Sequence, residues 1–131
     1  MIKAVLDTNV LVSSLLSPGP PAAIVDLIAN GKITPFFSDL ILMEYRDVLL
    51  RKKFGFGSFQ VARLLNDIVK TGIAVESDTP SKIIMAHEDD RKFFDAAVRS
   101  KAYLITGNTK HFPRKLFIVN PAQFLNIYSK S

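Results

Sequence analysis

Short β-rich apolar runs alternate with amphipathic helical stretches along the whole chain, and this alternation restricts the fold more than any other feature. Ile2 to Leu6 reads as a buried strand ending at Asp7, followed by a short helix over Thr8 to Leu16. A second helix over Pro21 to Asn30 has proline at its start and Gly31 just past its end, the order that helix termini favour. Ile33 to Phe37 is the second strand. Ser38 is placed to cap a helix reaching about Lys53, with Arg51, Lys52 and Lys53 at its negative pole. Phe54-Gly-Phe-Gly breaks it, Ser58 caps the next helix to about Thr71, and Gly72 ends that one. Ile73 to Glu76 is a third strand, Ser77 to Glu88 mostly loop, and Asp89 or Asp90 opens a helix to about Ser100. Tyr103 to Thr106 and Phe117 to Val119 are the last strands, and Asn120-Pro121 starts a final helix through Ile127. Strands alternating with helices specify an α/β fold whose parallel sheet is covered on both faces.

The length of 131 residues suits one domain spanning 1–131, and a hydrophobic share of 48% is too high for a disordered chain. The absence of cysteine removes disulfide scaffolds, thiolate metal sites and cysteine nucleophiles together. No window approaches the roughly 18 uninterrupted apolar residues of a membrane span. The N-terminal run meets Asp7 too soon for a secretory leader, so a soluble cytoplasmic protein is expected. Gly-rich phosphate loops are missing as well, which disfavours a nucleotide-triphosphate or dinucleotide enzyme. The net charge of +5 is unevenly spread: every acid lies between Asp7 and Asp95, and six basic residues follow Ala96 with no acid among them. Basic rims of this kind suit a polyanionic partner such as nucleic acid.

Four polar residues draw attention by where they fall in the pattern. Asp7 follows the first strand and so sits at the sheet's carboxyl edge, where such sheets bind ligands. Glu44 shares a helical stripe with Leu40, Ile41 and Val48, which brings a carboxylate out on the apolar side. Asp90 lies one turn before Phe93, Phe94 and Ala97 on another such stripe, whereas Asp95 projects away from it and stands four residues before Arg99, the spacing of a surface ion pair. Asn108 follows Thr106-Gly107 at the end of the fourth strand. Each has an ordinary explanation, as helix cap, salt bridge or turn residue. Together they converge on one sheet edge. Two like charges about 4 Å apart repel by roughly 4 kcal/mol at an effective dielectric of 20, so three clustered carboxylates call for a cation. Oxygen ligands without cysteine select Mg²⁺ or Mn²⁺, ions that assist phosphodiester hydrolysis.

Four segments in order, Val5-Leu-Asp-Thr-Asn-Val-Leu-Val, Ser38-Asp-Leu-Ile-Leu-Met-Glu-Tyr, Asp89-Asp-Arg-Lys-Phe-Phe-Asp-Ala-Ala and Leu104-Ile-Thr-Gly-Asn-Thr-Lys-His-Phe, resemble the PIN domain, particularly its VapC-like branch of toxins from type II toxin–antitoxin modules. Asn120-Pro-Ala-Gln-Phe-Leu is similar to the same branch. The resemblance implies a three-layer α/β/α sandwich with a central parallel sheet of four to five strands and an Mg²⁺- or Mn²⁺-dependent endoribonuclease. It carries the metal-binding acids onto Asp7, Glu44 and Asp90. The fourth site position, often Asp in the family, falls on Asn108, a departure that removes one negative charge and weakens the case for a second ion. Thr8, Asn9 and Thr106 match supporting positions. RNA as substrate, a cognate antitoxin covering the groove and a homodimer are further implications of the resemblance.

The cations Lys110, His111, Arg114 and Lys115 follow Asn108 closely enough to meet RNA phosphates near the site. Arg51, Lys52 and Lys53 precede two phenylalanines, the mixture of charge and stacking that grips single strands. Two competing readings of the chain are an aspartyl phosphatase or phosphoacceptor using Asp7, and a catalytically inactive RNA- or protein-binding module. The first wants a second Asp where this chain has Asn9; the second leaves carboxylates on apolar stripes without a cation.

Overall fold

The structure, a computed structural model, describes residues 1–76 and 79–131. Strand β1 (Lys3–Leu6) leads into helices α1 (Thr8–Leu16) and α2 (Pro20–Ala29), then β2 (Thr34–Phe37), α3 (Asp39–Leu49), α4 (Ser58–Thr71) and β3 (Ile73–Ala74). After the segment leading to a 3₁₀ turn at Glu88–Asp90 come α5 (Arg91–Ser100), β4 (Tyr103–Ile105), a second 3₁₀ turn at Thr109–His111, β5 (Ile118–Val119) and α6 (Pro121–Ser129). All strand pairs are parallel, in the order β3-β2-β1-β4-β5, and six helices flank the sheet. This is the expected α/β sandwich. No single described helix is long and apolar enough to cross a membrane.

That order positions the site. The chain builds β1, β2 and β3 outward in one direction, then returns to add β4 and β5 on the other side of β1. Strand order therefore reverses between β1 and β4, which opens a crevice beyond their carboxyl ends. The register pairs Leu6 with Ile105, so the next residues, Asp7 and Thr106, face each other across the crevice. The Asp7 amide donates to the Ile105 carbonyl at 2.9 Å and continues the ladder to that point.

Helix α3 buries Ile41, Tyr45 and Leu49, spaced four apart. The Tyr45 hydroxyl donates to the Leu6 carbonyl at 2.5 Å, fixing α3 to the end of β1. Gly72 is required by crowding: a Cβ there would stand 2.4 Å from the Pro35 carbonyl oxygen and 2.5 Å from that of Ile68. Its lack of a side chain lets α4 turn directly into β3.

The structure corrects several boundaries. α3 is capped by Ser38, whose hydroxyl accepts from the Ile41 amide at 3.3 Å, but it stops at Leu49. Arg51, Lys52 and Lys53 lie in the turns that follow, where Phe54 and Gly55 amides donate to the Arg51 and Lys52 carbonyls. They hold no helix pole; Arg46 is the basic residue of the last turn. Ser58 is the first residue of α4 rather than its cap, a place taken by Gly57. The third strand is Ile73–Ala74 alone, and residues 77–78 of the expected loop lie outside the described residues. At the start of α6, Asn120 forms a full capping box with Gln123.

Candidate active site

Asp7 occupies the cap position of α1 without a side-chain capping bond. Its carboxylate turns into the crevice instead, where the Thr106 hydroxyl donates to Oδ2 at 2.8 Å. Thr106 is fully buried, and its oxygen also accepts the Asn108 amide at 3.0 Å, so one hydroxyl orients both the acid and the loop after β4. Across the same crevice the Asn9 Oδ1 accepts the Gly107 amide at 3.3 Å. Burial pushes the Asp7 carboxyl from 3.8 up to about 6, against the Thr106 hydrogen bond, and the charges of Asp90 and Glu44 push it further in the same direction. The three acids thus share one electrostatic field.

They do not share one cation cage. Among the described residues no three of His, Asp and Glu stand in a metal-holding arrangement. Glu44 lies at the edge of the α3 stripe rather than within it, since its expected neighbour Leu40 is exposed. It is engaged on both oxygens: Oε1 pairs with the Lys92 ammonium at 2.7 Å, and Oε2 accepts from the Thr8 hydroxyl. Asp90 turns toward His111, with Nδ1 at 3.6 Å from Oδ2, and the His111 ring packs on that of His87 with centroids 4.2 Å apart. Burial raises the Asp90 carboxyl above its ordinary range, opposed chiefly by His111 and His87. Asn108 presents an exposed side chain at the mouth. The repulsion expected of three acids is met at Glu44 by the Lys92 ammonium, whereas Asp7 and Asp90 both keep carboxyls raised by burial.

The PIN domain family matches residues 3–110 of the chain. The chain belongs to the PIN domain family. Its members are generally nucleases. An uncharacterized protein of Methanocaldococcus jannaschii, MJ1680, is 36% identical over 112 residues, covering 82% of this chain and 71% of its own. The crystal structure of PAE2754 from Pyrobaculum aerophilum overlays with a TM-score of 0.65 over 99% of this chain and 91% of that one, at 15% identity, a likeness of fold.

This PIN domain assembles Asp7, Thr8, Asn9, Glu44, Asp90, Thr106 and Asn108 around one crevice, with His111 at its side. Lys110, Arg114 and Lys115 are exposed on the segment after β4. Arg51, Lys52 and Lys53 are exposed in the turns that follow α3. Lys53 lies over the Phe54 ring at 5.1 Å, and Phe54 stacks on Phe56, so those aromatics are already engaged with each other.

Asp95 overturns its surface expectation. It is only 8% exposed, and its Oδ2 accepts the Ser81 amide at 3.0 Å. Arg99 is not its partner and donates to the Glu76 and Thr79 carbonyls. The helical spacing placed Asp95 opposite the core stripe of α5; the segment around 79–81 covers that side as well. Sequence reasoning also missed Lys92, and read His87 as a loop residue without its contact to His111. Their one signal was proximity in sequence to Asp90, two residues after and three before.

Proposed function

We propose that the chain is an Mg²⁺- or Mn²⁺-dependent endoribonuclease whose Asp7, Glu44 and Asp90 hold the ion, with Asn108 assisting. The observation that carries the reading is Asp7: a buried carboxylate, oriented by Thr106 and pushed up to about 6 by burial with two further acids in its field. The donor set fits such an ion chemically, since it is made of carboxylate and amide oxygens and lacks thiolates. When bound, a divalent ion supplies Lewis acidity to the phosphodiester and activates water for attack on phosphorus.

The chain's own residues supply position and charge balance. Thr106 holds Asp7 in one orientation, Thr8 aims Glu44 from the neighbouring position on the chain, and Lys92 neutralises Glu44 until it is recruited. Lys110, Arg114 and Lys115, on the rim after β4, attract the phosphates on either side of the cleaved bond. His111, beside Asp90, adds a further donor to that rim. A role as the toxin of a toxin–antitoxin pair, with an antitoxin over the groove, a homodimer and a cytoplasmic location, belongs to the same proposal and rests on the VapC-like resemblance of the four segments.

The test is incubation of the purified protein with RNA in Mg²⁺ or Mn²⁺. Cleavage should disappear in EDTA and fall roughly 100-fold or more in Asp7→Asn. Cleavage that survives either treatment would falsify the proposal.

A further inference from the structure

The corner where α3 gives way to α4 gathers positive charge and bare aromatic surface. Residues 48–66 hold Arg51, Lys52, Lys53 and Arg63 and no acid, so most of the chain's net charge of +5 sits in this one stretch. All four cations are exposed. Arg51 pairs with Asp47 at 3.0 Å, whereas Lys52, Lys53 and Arg63 have no acidic partner among the described residues. Gly55, with a φ of 67°, takes the left-handed conformation that reverses the chain here, and Phe54 lies on Phe56 with ring centroids 5.4 Å apart and planes 7° from parallel. The Lys53 ammonium over Phe54 completes a stack that stiffens the turn. Phe59 is in a different position. Helix α4 buries Val61, Leu64, Leu65 and Ile68 on its core stripe, and Phe59 stands on the opposite face with Arg63 and Asn66, 91% exposed. A solitary apolar side chain in water is ordinary. A bare ring one helical turn from an unpaired guanidinium, in an acid-free stretch with two unpaired lysines, combines a stacking face with phosphate-binding charge.

We infer that this corner is an anchoring site for single-stranded RNA outside the catalytic crevice, where Phe59 stacks a base and Lys52, Lys53 and Arg63 hold the neighbouring phosphates. RNA as the partner class rests on the ribonuclease reading. Cations alone attract any polyanion. The ring narrows the choice, because the bases of a single strand have free faces to lay on an aromatic side chain, whereas in a duplex those faces are covered by their neighbours. An acidic peptide would satisfy the cations and leave the ring without a flat partner. A lipid surface would take a broad apolar face, and the residues beside Phe59 on α4, Gln60, Arg63 and Asn66, are polar. Sheet order sets the reach of the corner. The α3–α4 connection joins β2 to β3 on one side of β1, and Lys110, Arg114 and Lys115 lie between β4 and β5 on the other. Helix α3 carries Glu44 at the crevice and ends at Leu49, about 8 Å further along its axis. A strand crossing the crevice meets cations on both flanks, and the corner holds the part that is not being cleaved.

The test is binding of a labelled single-stranded RNA of mixed sequence to the full chain in EDTA, read by fluorescence anisotropy over a range of salt concentrations. Phe59 and the three cations are exposed, so none of the variants disturbs the core. Phe59→Ala should weaken binding roughly 10- to 100-fold, as the loss of one stacked base does, and leave the slope of log affinity against log salt unchanged. Lys52→Gln, Lys53→Gln and Arg63→Gln together should reduce that slope by about 2, because each phosphate contact to a single strand contributes about 0.7. Duplex RNA should bind more weakly than the single strand and be indifferent to Phe59→Ala. Single-strand binding that ignores Phe59→Ala, or an equal loss for duplex, leaves only general charge at the corner and overturns the site. Attachment to phosphatidylserine vesicles that Phe59→Ala abolishes while RNA binding stays intact assigns the corner to a membrane and overturns it as well. Cleavage assays in Mn²⁺ separate this site from the ribonuclease reading. Cleavage by a protein whose RNA affinity ignores all four substitutions overturns the corner alone, and Phe59-dependent RNA binding without cleavage supports the corner and overturns the ribonuclease.

Discussion

Asp7 and Glu44 face the same crevice from β1 and α3, yet they carry their charges in opposite ways. Glu44 is half-buried and satisfied twice, by Lys92 and by Thr8. Asp7 is nearly as buried as the core, is met by the Thr106 hydroxyl and the Asn9 backbone, and has two acids rather than a cation in its field. The α3 side is therefore a stable resting arrangement, and the β1 side is a standing electrostatic debt. A fold optimised for stability alone would have placed a cation or an apolar residue at position 7; strain of this kind concentrates where chemistry is done.

The largest expected effect follows from that asymmetry. The folded Asp7 carboxyl titrates near 6 and the unfolded one near 3.8, so between these values the folded state binds more protons than the unfolded. Asp7 consequently lowers stability as pH rises through this window, and above it the ionised group costs roughly 3 kcal/mol. Asp7→Asn should stabilise the protein by up to about that amount at pH 7.5 in EDTA, and by almost nothing below pH 3.5, as read by urea unfolding. A variant equally stable or less stable than the parent at pH 7.5 would remove the contrast between the two acids.

A smaller effect is expected at the hydroxyl that orients Asp7. Thr106→Val keeps the shape and removes the donor to Oδ2, and with it the anchor of the Asn108 amide. RNA cleavage should fall about 10- to 100-fold, the range typical of residues that orient metal ligands. Unchanged cleavage would mean that burial alone holds Asp7 in place.

The smallest effect probes the satisfied side. Lys92→Met frees Glu44 from its partner; because both side chains are partly solvated, the cost in stability should be about 1 kcal/mol or less. Affinity for Mn²⁺, measured by calorimetry, should rise several-fold as the ammonium no longer competes for Oε1. Weaker binding would instead assign Lys92 a helping role and reverse the comparison.

Much of the fold was legible because its signals are local. Alternating apolar runs, the prolines and the start of the last helix at Asn120 act within a few residues of themselves, and a parallel sheet follows from chain order and handedness, although its strand order does not. That Asp7 and Thr106 lie at one edge of the sheet was legible, since each ends a parallel strand; that the two strands are neighbours was not. What escaped was whatever depended on a distant cover. Asp95 reads as surface on a helical wheel, yet it is buried and bonded by the Ser81 amide from a loop fourteen residues away. Lys92 lies on α5 and Glu44 on α3, and no periodicity of either helix announces that they meet. The early stop of α3 at Leu49 was hidden too, because Arg51 to Lys53 have good helical propensity and yield to the turns before Gly55.

The bond from the Tyr45 hydroxyl to the Leu6 carbonyl has a mechanical consequence. It rivets α3 to the sheet next to Asp7, so the axis carrying Glu44 has no freedom to slide when a guest arrives. Any exchange of partners by that acid must come from torsion about its own side-chain bonds, a motion of picoseconds to nanoseconds at an accessible position. The result is a latch with a rigid hinge plate and a quick tongue, able to engage and release without disturbing the frame around it.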